Sequence, residues 1–371
     1  MSPADSRDWA DWADSTADAI RAAGQWREPR DLDPNGPINF ASNDYLGLTR
    51  HPDVIAAAHA ALDTYGSGSG SARLIVGSRP VHSELERALA EWKQMPCAAL
   101  FPTGFATNLG VITTFGGDGV LVCSDELNHA SIIDGCRLAR GEVAVYRHND
   151  LDQLRSLLHA RGDRRALVVS DTVFSMDGDL VDLPALVALC AEERALLVVD
   201  EAHAVLGPEL DVPAGTDVLR VGTLSKTLAA LGGFVAGPER YVELVENLAR
   251  PYIFTTAPTP ADAAAALAAL RVLRSPEGDA LVARLRALVE RLRPGHPSPI
   301  VPFLFGEEET ALLASDALRR RGLLVPAIRP PTVAPGTSRL RVTLSAAHTD
   351  DQVDVLSYAL DEIRAELQAP A

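Results

Sequence analysis

From residue 40 to about residue 273 the chain alternates short apolar runs with amphipathic stretches, and this rhythm restricts the fold more than any other feature. The runs AALFPTG, GVLVCSD, EVAVY, ALVVSDTVF, ALLVVDEAH and VLRVGTLSK are short and mostly rich in β-branched residues, so they read as strands. Between them, HASIIDGCRLARG, DLDQLRSLLHARG and LPALVALCAEERA carry apolar residues at helical spacing. Right-handed crossovers then give an α/β fold with a mostly parallel sheet covered by helices on both faces. Ligands of such sheets bind beyond the carboxyl ends of the strands.

Residues 1–39 are rich in Asp, Arg and Pro, with Trp9, Trp12, Ala13, Thr16 and Ile20 at loose helical spacing, and read as an N-terminal arm packed on something larger. The segment SPEGD breaks the pattern after an alanine-rich helix, so residues 40–274 are expected as a large domain and 275–371 as a smaller α+β domain.

At 47% apolar residues the chain can bury a sizeable core, yet no apolar run spans a membrane. The first residues are acidic where a signal peptide would be basic and then apolar, so a cytoplasmic protein is expected. A net charge of -16 argues against a nucleic-acid surface. Cys97, Cys123, Cys136 and Cys190 lack metal-ligand spacing and read as free thiols, and no metal site is expected.

Lysine is scarce: only Lys93 and Lys226 occur. Lys93 follows a helical stripe of Leu85, Leu89 and Trp92 and is expected to face solvent. Lys226 lies between Ser225 and Thr227 after a strand, where a desolvated amine becomes a nucleophile or base. The run VVDEAH places Asp200, Glu201 and His203 at a strand end and invites an ATPase reading. That reading needs a Walker loop, and neither lysine sits in one. A carboxylate buried there needs a cation, and no matched base is evident in the sequence; a protonated pyridine nitrogen would serve. Gly104 and Phe105, opening a helix after a strand, could receive a phosphate, or Thr103 to Phe105 form only a helix cap. Thr223 and Ser175 offer hydroxyls at strand ends, and His129 begins a helix where an imidazole stacks on a ring or merely caps.

The motifs SNDYLGL, GSGSGSARLIVG, TGF, NHAS, VFSMDGD, VVDEAH, GTLSK and RPPTVAPGTSRLRVTL occur in the order found in the α-oxoamine synthases, over residues 40–348. The chain therefore resembles this family of fold-type-I pyridoxal-phosphate transferases, which condense an amino acid with an acyl thioester and release carbon dioxide. The resemblance implies that Lys226 carries the pyridoxal 5'-phosphate aldehyde, Asp200 holds the pyridinium nitrogen, His129 stacks on the ring and His203 approaches the phenolic oxygen. Gly104, Phe105, Ser175 and Thr223 match cofactor-contacting positions, chiefly around the phosphate. Arg341 matches an arginine that holds the amino-acid carboxylate, Thr332 a threonine at the acyl channel, and Asn43 the same pocket; Arg21 aligns with an N-terminal substrate arginine by spacing alone.

Within the family, RPPT followed by GTSRLRVTL points to the branch that joins L-alanine to a pimeloyl thioester, carried on coenzyme A or on an acyl carrier protein, in biotin synthesis. The resemblance also implies a homodimer, with Thr255 and Thr256 reaching the partner's phosphate. The rivals are a sister synthase using glycine with an acetyl or succinyl thioester, and a non-catalytic scaffold of the same fold. Two departures bear on acyl specificity: Ala204 with VLGPELDVPAG replaces the family's glycine-rich turn, and VAPG replaces its usual VPxG order.

Overall fold

The structure, a computed structural model, describes residues 8–29, 31–33, 36–213 and 215–368. The first seven residues of the expected arm, and Ala214 of the altered loop, lie outside them.

Seven strands form the central sheet: β1 Cys97–Phe101, β2 Val120–Asp125, β3 Glu142–Tyr146, β4 Arg165–Asp171, β5 Leu196–Asp200, β6 Val218–Thr223 and β7 Gly233–Gly237. Their order is β1-β7-β6-β5-β4-β2-β3, and β2 to β6 run parallel. The six expected strands are present. The seventh, in GGFVAG, is antiparallel to both its neighbours. Its glycines hide it from a propensity reading, and they answer a steric demand: a Cβ on Gly233 would lie 2.5 Å from the amide nitrogen of Gly104.

β2 is buried along its whole length, as a strand covered on both faces must be. One face packs Leu121, Leu154, Phe174, Leu186 and Leu197 beneath the helices Leu151–His159 and Leu183–Glu192. The other packs Phe101, Ile112, Val122, Ile132, Val221 and Val245 beneath Gly104–Phe115, Ala130–Leu138 and Glu239–Leu248. Each of these helices except the last begins with a side chain that accepts a backbone N–H: Asp150, Asp182, Thr103 and His129. The Asp and Thr caps among them stabilise a helix start by about 1 kcal/mol each.

The chain divides into two compact units. One comprises residues 40–302 and 341–358 and holds the sheet; the other comprises 1–39, 303–340 and 359–371. This division differs from a cut at residue 275, because Pro276–Leu292 falls within the large unit. In the smaller unit, Trp9–Ala22 is a helix with no buried residue, Ile38–Asn39 pairs in parallel with Leu323–Leu324, and Ala327–Ile328 pairs antiparallel with Arg339 and Leu340.

Candidate active site

The carboxyl ends of β2, β4, β5 and β6 bring together Asp125, Asp171, Asp200 and Thr223, and the loops beyond them supply the remaining groups. Lys226, half-buried in the bend after β6, places Nζ 3.0 Å from His203 Nε2. Burial lowers its pKa, against Asp200 and, where ionised, Asp171, which raise it. A larger share of Lys226 is therefore neutral near pH 7 than of an exposed lysine. Burial, with Lys226 and Arg341 nearby, holds His203 well below its ordinary range, so its imidazole is neutral.

Asp200 is 6% exposed, and its hydrogen-bond partners are uncharged: Asn108 Nδ2 donates at 2.6 Å and the Ala202 amide at 2.9 Å. Asn108 also donates to Ser131 Oγ at 2.9 Å, and its own Oδ1 is buried without a partner among the described residues. Ser131 Oγ lies 2.7 Å from His129 Nδ1, and the ring edge of His129 meets Phe105 at 6.4 Å between centroids. Burial lowers the His129 pKa as well.

The helix Gly104–Phe115 aims its first turn at this cluster. Thr103 Oγ1 accepts from Ala106, while the amides of Gly104 and Phe105 have no acceptor among the described residues. A Cβ on Gly104 would lie 3.1 Å from Thr223 Cβ, so glycine there keeps backbone and hydroxyl side by side. Thr223 Oγ1 in turn lies 2.7 Å from Ser225 Oγ. Unclaimed amides at a helix start and two adjacent hydroxyls form an anion cradle.

Arg341, in strand Ser338–Thr343, is 6% exposed. Its Nε donates to the Ser175 carbonyl at 2.5 Å, Nη1 to Thr343 Oγ1 at 2.9 Å and Nη2 to Asn43 Oδ1 at 3.2 Å. The guanidinium is thus oriented by the protein, and each terminal nitrogen carries a second N–H, the pair that a carboxylate accepts bidentately. Ser175 enters the site through this carbonyl.

Lysine 93 does not face solvent. The helix Pro80–Trp92 ends one residue before it, and the chain turns the side chain inward, where it is 9% exposed, over the Trp92 ring and 2.8 Å from Glu201 Oε2. Arg220, inside β6, donates to Glu201 Oε1 at 2.6 and 3.0 Å. The bases for the second VVDEAH carboxylate are therefore in the chain itself. Burial pushes Glu201 up, yet Lys93 and Arg220 outweigh it and hold the carboxyl below its usual range.

Asp171 escaped the sequence reading, although the SD within ALVVSDTVF mirrors the VD within ALLVVDEAH. Its Oδ2 accepts the His129 amide at 2.7 Å. Tyr45 also escaped it: the side chain is fully buried, with its hydroxyl 2.5 Å from His203 Nδ1.

Two expected substrate residues lie in the smaller unit. Thr332 Oγ1 accepts from Arg27 at 3.3 Å, and Arg21 pairs with Asp18 at 3.1 Å and stacks on Trp26. In the large unit, Thr255 is half-buried and Thr256 exposed after the short helix Arg250–Ile253.

The aminotransferase class I and II family matches residues 35–360. Among relatives, the 8-amino-7-oxononanoate synthase of Methylobacterium sp. strain 4-46 is 46% identical, covering 90% of this chain and 88% of its own. That of Anaeromyxobacter dehalogenans is 45% identical, with 96% of both chains covered. Among solved structures, serine palmitoyltransferase from S. paucimobilis with a bound PLP-myriocin aldimine superposes with a TM-score of 0.89 at 30% identity, covering 98% of this chain and 100% of that one. The 8-amino-7-oxononanoate synthase of Francisella tularensis gives 0.77 at 26%, covering 91% and 99%.

Proposed function

This chain belongs to the aminotransferase class I and II family, and within it to the α-oxoamine synthases, and from that premise we propose that it is an 8-amino-7-oxononanoate synthase. It joins L-alanine to a pimeloyl thioester in biotin biosynthesis, with pyridoxal 5'-phosphate as cofactor. The observation that carries the reading is the convergence of Lys226, Asp200 and His129, with Phe105 of the anion cradle against the His129 ring and the oriented guanidinium of Arg341 in the same network. The relatives' names support the choice of alanine and pimeloyl donor.

The residues present fit the cofactor. Asp200, held by neutral donors, has a charge to offer a ring nitrogen, and the buried Asn108 Oδ1 lacks a partner beside it. Gly104, Phe105 and Thr223 would hold the phosphate and His129 would stack on the ring, while Ser175 joins the site through the carbonyl that accepts from Arg341. His203 would meet the phenolic oxygen. When bound, the cofactor supplies the electron sink that makes the α-carbon of alanine acidic.

Arg341 holds the alanine carboxylate and Asn43 braces that arginine. Lys226, whose pKa burial lowers, removes the α-proton in its amine form and later returns one. The α-carbon attacks the acyl carbonyl and a carbon–carbon bond forms. The thiol leaves with a proton, the carboxylate departs as carbon dioxide, and reprotonation completes the amino ketone. Thr332 and Arg21 belong to the acyl and substrate path in this reading. In a cytoplasmic homodimer, Thr255 and Thr256 would reach the partner's cofactor phosphate, and an acyl carrier protein would be a further donor.

The test is thiol release by purified protein supplied with pyridoxal phosphate, comparing L-alanine plus pimeloyl-CoA with glycine plus acetyl-CoA. The first pair is expected to turn over with the higher kcat/KM. Preference for the second would reassign the chain to the sister synthase. Absence of release with either pair, or with pimeloyl acyl carrier protein, would favour a non-catalytic scaffold.

A further inference from the structure

Five side chains of the large unit form one hydrogen-bonded line. Lys226 Nζ is 3.0 Å from His203 Nε2, and His203 Nδ1 is 2.5 Å from the Tyr45 hydroxyl. That hydroxyl is 3.2 Å from Asn43 Oδ1, which Arg341 Nη2 also contacts at 3.2 Å. The loop carrying Asn43 and Tyr45 is pinned by Ala346 N–H to the Tyr45 carbonyl at 2.8 Å and by Ser345 Oγ to the Asp44 carbonyl at 2.6 Å.

The direction of every bond follows from its far end. Arginine only donates, so the Asn43 atom that faces Arg341 is the carbonyl oxygen. That oxygen only accepts, so the Tyr45 O–H donates to it. The Tyr45 oxygen is then free to accept, and the neutral His203 places its proton on Nδ1 to donate there. His203 Nε2 is left with a lone pair, directed at Lys226. This arrangement gives each of these groups a partner of the right kind, and it keeps the Tyr45 O–H on Asn43 Oδ1.

We propose that Tyr45 is a positioning residue that sets the tautomer of His203, so that the group beside Lys226 is an acceptor whose state is dictated from Arg341. The proposal rests on the reading above for the roles of Lys226 and Arg341, but its geometry is that of the cofactor-free chain. The consequence is directional. An acceptor at Nε2 favours the ammonium form of Lys226 and partly offsets its desolvation. Without the Tyr45 hydroxyl the Nδ1 proton has no acceptor, the proton moves to Nε2, and a donor then faces the lysine. The neutral amine gains. The other charged or titratable groups acting on this pair are Asp200, Asp171, Arg341 and His129; Arg341 also meets the Tyr45 hydroxyl, and Tyr45→Phe removes that contact while Ser175, Thr343 and Asn43 still hold the guanidinium.

Two measurements on the full-length protein decide the matter. In cofactor-free protein labelled at histidine, the His203 resonances, identified by their loss in His203→Gln, are expected to report an Nδ1–H tautomer in wild type and an Nε2–H tautomer in Tyr45→Phe. The rate of pyridoxal phosphate capture, followed by visible absorbance against pH, is expected to have its midpoint lower in Tyr45→Phe by about half a unit or more. An unchanged tautomer, or coincident midpoints, would overturn the proposal; a purely structural role for Tyr45 would lower thermal stability and leave both unmoved. Asn43→Ala removes the acceptor for the Tyr45 proton and is expected to flip the same tautomer, which keeps the inference decidable should Tyr45→Phe not fold. If wild type captures no cofactor at all, the functional reading fails, while the tautomer comparison still judges the role of Tyr45.

Discussion

Asp171 and Asp200 are direct cross-strand partners at the carboxyl ends of β4 and β5. Burial, and after it the neighbouring Asp200, raises the Asp171 pKa well above the ordinary carboxylate range, which favours the protonated acid at Asp171. Asp171→Asn retains an oxygen for the His129 amide and imitates the protonated acid. Its kcat/KM near neutrality is expected within about threefold of wild type. Asp200→Asn removes the charge that the cofactor ring requires and is expected to lower kcat/KM by roughly 10²-fold or more. Steady-state kinetics of the two variants side by side check the assignment, and equal losses would refute it.

Arg341 is held by Ser175, Thr343 and Asn43, so its fork is set before substrate arrives. Arg341→Lys keeps a charge but loses the bidentate geometry. Removing a charge-assisted pair costs about 1.5–3 kcal/mol, or roughly 10- to 150-fold. The loss is expected chiefly in KM for alanine, with KM for the pimeloyl donor little changed. A loss confined to the acyl donor would move Arg341 to the other substrate.

Glu201 is the only carboxylate in the buried cluster it forms with Lys93 and Arg220. Glu201→Gln strands two buried cations, and breaking a buried pair in this way costs about 3–5 kcal/mol. Lys93→Met leaves the Arg220–Glu201 pair intact and is expected to cost less than half as much. Urea unfolding of both variants checks the order; the reverse order would mean that Lys93, not Arg220, neutralises the carboxylate.

The sheet was legible because its parallel strands are uninterrupted apolar runs, and a run of that kind has few alternatives. What escaped depends on partners distant in sequence. β7 is glycine-rich because of its close approach to Gly104, and that neighbour is invisible from residues 233–237. Lys93 was misplaced because helical periodicity was carried one residue past the end of Pro80–Trp92. Asp171 needed strand register, which pairs it with Asp200, and no local pattern encodes register. Asn43 and Arg341 were associated through family motifs alone; the structure brings them to 3.2 Å across 298 positions.

His148 tests a site away from the chemistry. Burial opposes its charging, but Asp125 and Asp179, at 3.1 and 2.7 Å, raise its pKa to about 10. A pKa raised above the unfolded value, about 6.5, stabilises the fold fully below that pH, and the contribution fades as pH climbs to about 10. The thermal midpoint of wild type is therefore expected to exceed that of His148→Gln most near pH 6, with the gap closing by pH 10. A gap independent of pH would contradict the ion pairs.

The central claim is that Lys226 carries the cofactor, and the scarcity of lysine makes it directly measurable. Purified protein is loaded with pyridoxal phosphate, reduced with borohydride, digested, and the modified peptide identified by mass. The account predicts a single label on Lys226 and none on Lys93, the only other lysine, with labelling abolished in Lys226→Ala. A label on Lys93, or none on either residue, would contradict it.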